Sequence, residues 1–153
     1  MLAPKLIVSP IDFSEFSLAA LDAAKDIAGK YGSEILLAYV VPEIPKLPDT
    51  VSILHEGEYE TRLIEGTKKK LEEIAASVKA SGLSARTSVG LANDAAMEIV
   101  RIAEAENADL IVIATHGMTG WRRLAFGSVT EKVVRTAGCP VLVLRQKAAS
   151  AGA

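Results

Sequence analysis

The residues best suited to chemistry lie in one stretch, Ile111 to Ser128, which reads IVIATHGMTGWRRLAFGS. An apolar β-branched run, Leu110 to Ile113, breaks at Ala114-Thr115-His116-Gly117 and crosses a basic, glycine-bearing loop. The loop ends at Gly127-Ser128, where Ser128-Val129-Thr130-Glu131 has the Ser-x-x-Glu form of a capping box. That spacing predicts a helix starting with Ser128 as its cap. A strand, a long loop and a helix N-terminus make a place to hold an anion. The first amides of the helix (Val129, Thr130, Glu131) have no intrahelical acceptors, and the helix dipole adds favourable potential. Gly117 and Gly127 carry no Cβ, so backbone can approach a phosphate closely there. The same residues also fit a plain strand-loop-helix connection with an ordinary cap, and spacing leaves both readings open.

Asp12 is the second candidate. It follows the apolar run Leu6-Ile7-Val8-Ser9 and Pro10-Ile11, and can cap the next helix, present a carboxylate to a ligand, or do both. His116 has no orienting carboxylate near it in sequence and reads as a loop residue. A Ser128, His116, Asp12 triad is disfavoured, because Gly127-Ser128-Val129-Thr130 lacks the second glycine of a nucleophile elbow. His55, Glu56, Glu58 and Glu60 cluster without a second histidine and read as a solvated face, so no metal site and no catalytic residue is assigned. Lys68-Lys69-Lys70 with Glu72-Glu73 reads the same way, Cys139 as an inert pre-strand residue, and Trp121 as a loop anchor. No G-x-x-x-x-G-K-[ST] loop and no G-x-G-x-x-G turn is present. A phosphoacceptor receiver is excluded too, since the third strand ends Val89-Gly90 rather than in Asp.

The elements that must position these residues alternate along the chain. Strands are expected at Leu6 to Ser9, Glu34 to Val41, Ser84 to Val89, Leu110 to Ile113 and Pro140 to Leu144. The first helix carries Phe16, Ala19, Ala20, Ala23, Ala24, Ile27 and Ala28 at helical spacing and closes at Gly32. The second carries Leu63, Ile64, Leu71, Ile74, Ala75 and Val78 after an irregular, proline-bearing stretch from Pro42 to Leu54. The third is capped by Asn93 or Asp94 and faces inward through Ala96, Ile99, Val100 and Ala103; the fourth runs from Ser128 to Ala137. Five strands and four helices in alternation give a mostly parallel α/β sheet with helices on both faces. In such sheets ligands bind outside the carboxyl ends of the strands where strand order reverses. Asp12 and the glycine-bearing loop both leave carboxyl ends, so they share one crevice if the first and fourth strands are neighbours.

Length and charge narrow the class. The 153 residues, 50% of them hydrophobic, suffice for one core, expected as a single domain over 1–146 with a disordered tail from 147. A net charge of −2, from 17 basic and 19 acidic residues, is no footprint for nucleic acid or an anionic membrane. The single cysteine excludes an internal disulfide framework, no stretch reaches membrane-spanning length, and Met1-Leu2-Ala3-Pro4-Lys5 is no secretory signal. A cytoplasmic location is expected.

Pro10-Ile11-Asp12-Phe13-Ser14, Thr115-His116-Gly117-Met118-Thr119-Gly120, Gly127-Ser128-Val129-Thr130-Glu131-Lys132-Val133 and Cys139-Pro140-Val141-Leu142-Val143 resemble the universal stress protein family. The resemblance runs from Lys5 to about Arg145. The ATP-binding branch carries Gly, two residues, Gly, nine residues, then Gly-Ser or Gly-Thr. Here Gly117 is the second glycine, Met118 to Phe126 are the nine, and Gly127-Ser128 closes the motif, while Ala114 replaces the first glycine. Met118 stands where many members carry a basic residue; Arg122 and Arg123 remain in the loop.

The resemblance implies an open five-stranded parallel sheet in the order 3-2-1-4-5, of the adenine-nucleotide alpha-hydrolase-like kind. It implies that Pro10, Ile11 and Asp12 meet the adenosine end and that Val40 touches adenine. Ile113, Ala114 and Gly117 would line the ribose and phosphate path. Gly127, Ser128, Val129 and Thr130 would hold the phosphates, with Mg²⁺ accompanying ATP. It further implies a homodimer through the fifth strand (Val141, Leu142, Val143, Leu144), whose apolar faces make an unpaired edge costly. The function expected is nucleotide-dependent regulation or interaction, with at most weak ATPase or self-phosphorylation activity at Ser128 or Thr130. A nucleotide-free dimeric interaction protein of the same fold is the alternative, and Ala114 is the feature that favours it. No protein partner is named by these residues.

Overall fold

A computed structural model of the chain describes residues 3–43, 53–115 and 127–145. The order is β1 (Leu6–Pro10), α1 (Glu15–Tyr31), β2 (Glu34–Val41), α2 (Ile53–Ala80), β3 (Ser84–Leu91), α3 (Ala95–Ala105), β4 (Leu110–Thr115), α4 (Ser128–Thr136) and β5 (Val141–Arg145). The strands form one parallel sheet in the order β3-β2-β1-β4-β5. The expected strand order and the layering with helices on both faces are both found.

Each strand of the sheet's middle has two buried faces, which is why their sequences are apolar runs rather than alternations. Ile7, Ile35, Leu37 and Val112 point to the α1/α2 side, against Leu21, Ala24, Leu71 and Ala75. Val8, Leu36, Ile111 and Ile113 point to the α3/α4 side, against Ile99, Val100, Ala103 and Val133. Alanines at Ala20, Ala24 and Ala28, all buried, let α1 lie close on the sheet. Its ends follow local chemistry. The Ser14 hydroxyl accepts the Ser17 N–H, and Gly32 takes the left-handed conformation at φ 70°.

The chain turns one way from β1 to β2 and the other way from β3 to β4, so β1 is flanked by β2 and β4. That is the reversal point the crevice argument requires. The Asp109 carboxylate fastens the opposite end of the same strand pair, accepting the Lys5 and Leu6 N–H groups at 2.8 and 3.0 Å.

Some boundaries differ from expectation. β3 runs on to Leu91 and α2 starts at Ile53, inside what reads as irregular sequence. α2 spans 28 residues, yet its N-terminal half from 57 to 66 buries no side chain. Hydrophobic periodicity is therefore weak there, which is why the start is not visible in the sequence. Among the described residues, no helix is long and apolar enough to cross a membrane. The tail from 147, His116, Gly117, Met118, Trp121, Arg122 and Arg123 lie outside the described residues.

Candidate functional site

A cavity of about 350 Å³ opens at the carboxyl end of the sheet. The chain leaving β1 contributes Pro10, Ile11 and Asp12, and β2 contributes Val40. The end of β4 contributes Ile113 and Ala114, and the start of α4 contributes Gly127, Ser128, Val129 and Thr130. Ten of the eleven residues singled out in the sequence thus gather around one space; the eleventh, Gly117, lies outside the described residues. The α3 side of the wall comes from Ala95 and Ile99, and the β1–α1 side from Ser14, Phe16 and Ser17. Sequence reasoning did not assign these to the site. In the sequence Ser14 stands out only within the Pro10-to-Ser14 motif and Ile99 only as a core residue, and Ser17 carries no signal of its own.

Hydrogen bonds fix the β1–α1 wall. Asp12 Oδ1 accepts the Ser14 N–H at 2.9 Å and the Ser14 hydroxyl. The Ser17 hydroxyl donates to the Ser14 carbonyl at 3.0 Å and accepts the Asp12 N–H at 3.3 Å. Asp12 is therefore not the cap of α1; Ser14 is, and Asp12 in turn accepts from Ser14. Between them Phe13 adopts φ 64°, a left-handed conformation that costs a side chain with a Cβ about 1–2 kcal/mol. Its ring stacks on Tyr39 with centroids 4.9 Å apart, and Lys70 Nζ of α2 lies 5.7 Å from the ring centroid.

The α4 wall departs from the expected capping box. The cap is Gly127, which has no side chain to offer, and no side-chain hydrogen bond caps the helix. Ser128 is already the first helical residue, because the Glu131 N–H donates to the Gly127 carbonyl at 2.9 Å. Glu131 turns away to Arg135, one helical turn on, at 2.5 Å. An uncapped helix start on a cavity wall leaves first-turn amides for an anion. Thr130, 3% exposed, donates its hydroxyl to the Ala114 carbonyl at 2.9 Å and so ties α4 to the end of β4.

The α3 wall is held to α4 through Asp94. Its carboxylate pairs with Lys132 and accepts the Met97 N–H at 3.1 Å, and these two partners, Lys132 foremost, hold it below the ordinary carboxylate range. Away from the cavity, burial pushes the Cys139 thiol up, which suits an unreactive residue. Among the described residues no group of three His, Cys, Asp or Glu could hold a metal ion.

Comparison with known proteins agrees with this fold. The model of the universal stress protein family matches residues 4–145. Universal stress protein MJ0531 of Methanocaldococcus jannaschii is 37% identical over 145 residues, covering 93% of this chain and 82% of that protein. Universal stress protein MJ0577 of the same organism is 33% identical over 158 residues, covering 94% and 96%. The solved structure of MJ0577 matches with a TM-score of 0.78, over 96% of this chain and 99% of that one. The universal stress protein UspA from Lactobacillus plantarum matches with a TM-score of 0.77 at 26% identity, over 92% and 97%. On sequence and fold together, along nearly its whole length, the chain belongs to the universal stress protein family.

Proposed function

We propose that this chain binds ATP in the cavity between β1 and β4 and acts as a cytoplasmic, nucleotide-dependent regulator or interaction module. The observation that carries the reading is the pairing of two unlike walls around one space. Asp12 stands on the β1 side and the uncapped first turn of α4 on the β4 side. In this reading Pro10, Ile11 and Asp12 meet adenosine and Val40 touches the base. Ile113 and Ala114 line the ribose and phosphate path, and Gly127, Ser128, Val129 and Thr130 hold the phosphates. The apolar majority of the lining suits a base and a sugar, and the helix start suits their charged extension.

Mg²⁺ fits here as a companion of the phosphates rather than a resident of the protein. Asp12 and the Ser128 hydroxyl are oxygen donors beside the cavity, the donor type this cation prefers alongside substrate phosphates. Hydrolysis is slow or absent in this account. Among the described lining residues Asp12 is the one carboxylate, and it already accepts two hydrogen bonds from Ser14. In this reading self-phosphorylation falls to the exposed Ser128, because the Thr130 hydroxyl is buried and donating to Ala114. Dimers form through the apolar edge β5 (Val141, Leu142, Val143, Leu144), which follows α4 directly in the chain. Nucleotide at the start of α4 thereby bears on what the dimer presents.

The second reading, a nucleotide-free dimeric interaction protein, rests on Ala114, whose position on the cavity wall belongs to a glycine in the family's ATP-binding motif. Calorimetric titration of ATP with Mg²⁺ into nucleotide-stripped protein separates the two. ATP binding that falls at least tenfold in Asp12→Ala, with the fold intact, supports the leading reading. No heat at millimolar ATP from a well-folded dimer leaves the second.

A further inference from the structure

We propose that Phe13 is a positioning residue for the cavity, and that through its ring the outer helix α2 sets how Asp12 is presented to a ligand. Asp12 and Phe13 are adjacent yet belong to opposite sides of the sheet. Asp12 lines the cavity toward α3 and α4, whereas Phe13 packs against the core layer of α1 and α2. The left-handed turn at Phe13 makes this division possible. It reverses the chain so that Asp12 Oδ1 accepts from both the N–H and the hydroxyl of Ser14. A phenylalanine does not hold φ 64° of its own accord, so something must maintain it.

Two contacts supply the constraint, and neither is a hydrogen bond of the Asp12–Ser14 turn, although Tyr39 also lines the cavity. The Tyr39 ring stacks at 4.9 Å with 27° between planes, and Lys70 Nζ stands 5.7 Å from the Phe13 centroid, within reach of a cation–π attraction. Tyr39 is in β2, so the clamp is anchored in the sheet, and Lys70 is in α2, so its other half moves with that helix. Any partner that shifts α2, or takes up the Lys70 ammonium, loosens the turn and with it the carboxylate. The role is distinct from a direct contact, since Phe13 is not on the cavity wall. The ligand arm of the test rests on the ATP reading; the ligand-free arm does not.

The test uses Phe13→Gly and Lys70→Met in the full chain. Glycine adopts φ 64° without strain, so what is lost in Phe13→Gly is the ring and not the permitted backbone. In ligand-free protein, NMR exchange of the Ser14 amide is expected to quicken about fivefold or more in Phe13→Gly and less in Lys70→Met, because the Asp12 acceptor is no longer held. ATP affinity is expected to drop about fivefold in Phe13→Gly but to be unchanged by the same substitution in an Asp12→Ala background, the signature of action through Asp12. Unchanged Ser14 exchange, or an equal affinity loss in both backgrounds, overturns the proposal. Quickened exchange in a chain that binds no ATP defeats the nucleotide reading and leaves the positioning role standing.

Discussion

Gly127 sits at φ −54°, ψ 147°, a conformation open to any residue, so its value lies in the missing side chain. An aspartate there would cap α4 and place a negative charge where the phosphates are proposed to lie. Gly127→Asp is therefore expected to raise stability by a few tenths of a kcal/mol. It should also weaken ATP binding at least tenfold. Opposite signs in a melting curve and a titration would be hard to obtain from a merely structural cap. Ser9 offers a second local test. Its hydroxyl is fully buried in β1 and, among the described residues, is the buried side-chain polar atom without a partner. Ser9→Ala is expected to stabilise by about 1 kcal/mol, readable as a rise in Tm of about 2–4 °C. Most of the site's polar residues are readable from sequence because their signals are local. A carboxylate two residues past a strand and a Gly-Ser before a helix need no tertiary knowledge. The cap assignment failed by one residue because Gly127 and Ser128 both satisfy the rule for a helix start. The backbone bond from Glu131 to Gly127, and the pull of Arg135 on Glu131, decide between them.

The cavity wall on the α4 side depends on two ties between elements, Thr130 to Ala114 and Lys132 to Asp94. The first is buried and the second exposed, so they differ in weight. Thr130→Val keeps the shape and removes the donor, leaving the Ala114 carbonyl without that partner. A loss of about 1–3 kcal/mol in urea unfolding is expected. A change under a few tenths would show that the Thr130 hydrogen bond does not hold α4 in place. The strands and three of the helix faces follow from periodicity and apolar runs. In α2 the inner face follows too, with Leu71, Ala75 and Val78 buried, but the start of the helix does not, because Gly57 and Gly66 sit in a stretch from 57 to 66 that buries no side chain. Ala95 and Ile99 escape for the opposite reason. An apolar helix face reads the same whether it meets a core or the mouth of a cavity.

The molecule as a whole should weaken in acid through Asp109, which joins the starts of β1 and β4. The Leu6 and Lys5 amides hold its carboxyl below the ordinary range. A depressed folded-state pKa means the stabilisation is complete above the unfolded carboxylate value and is lost as pH falls through the folded one. Asp109→Asn is expected to cost about 1 kcal/mol near neutrality, since the group is partly solvated. The urea midpoints of variant and native chain should converge below the carboxylate range; a constant gap would assign the cost to shape rather than charge. At the sheet's far edge, β5 carries Leu142 at 40% exposure on a strand paired on one side, among the described residues, with β4. Leu142→Lys is expected to shift sedimentation from dimer to monomer with the fold unchanged. A native chain that sediments as a monomer would remove β5 from the account.

The proposed seat of ATP, between Asp12 and the start of α4, can be mapped by adding ATP with Mg²⁺ to isotope-labelled protein and following the backbone amides that shift. The expected pattern is saturable, with the largest changes at Ser128, Val129 and Thr130 and a second group at Asp12 and Val40. Saturable shifts confined to other surfaces, or none at millimolar ATP, would contradict it.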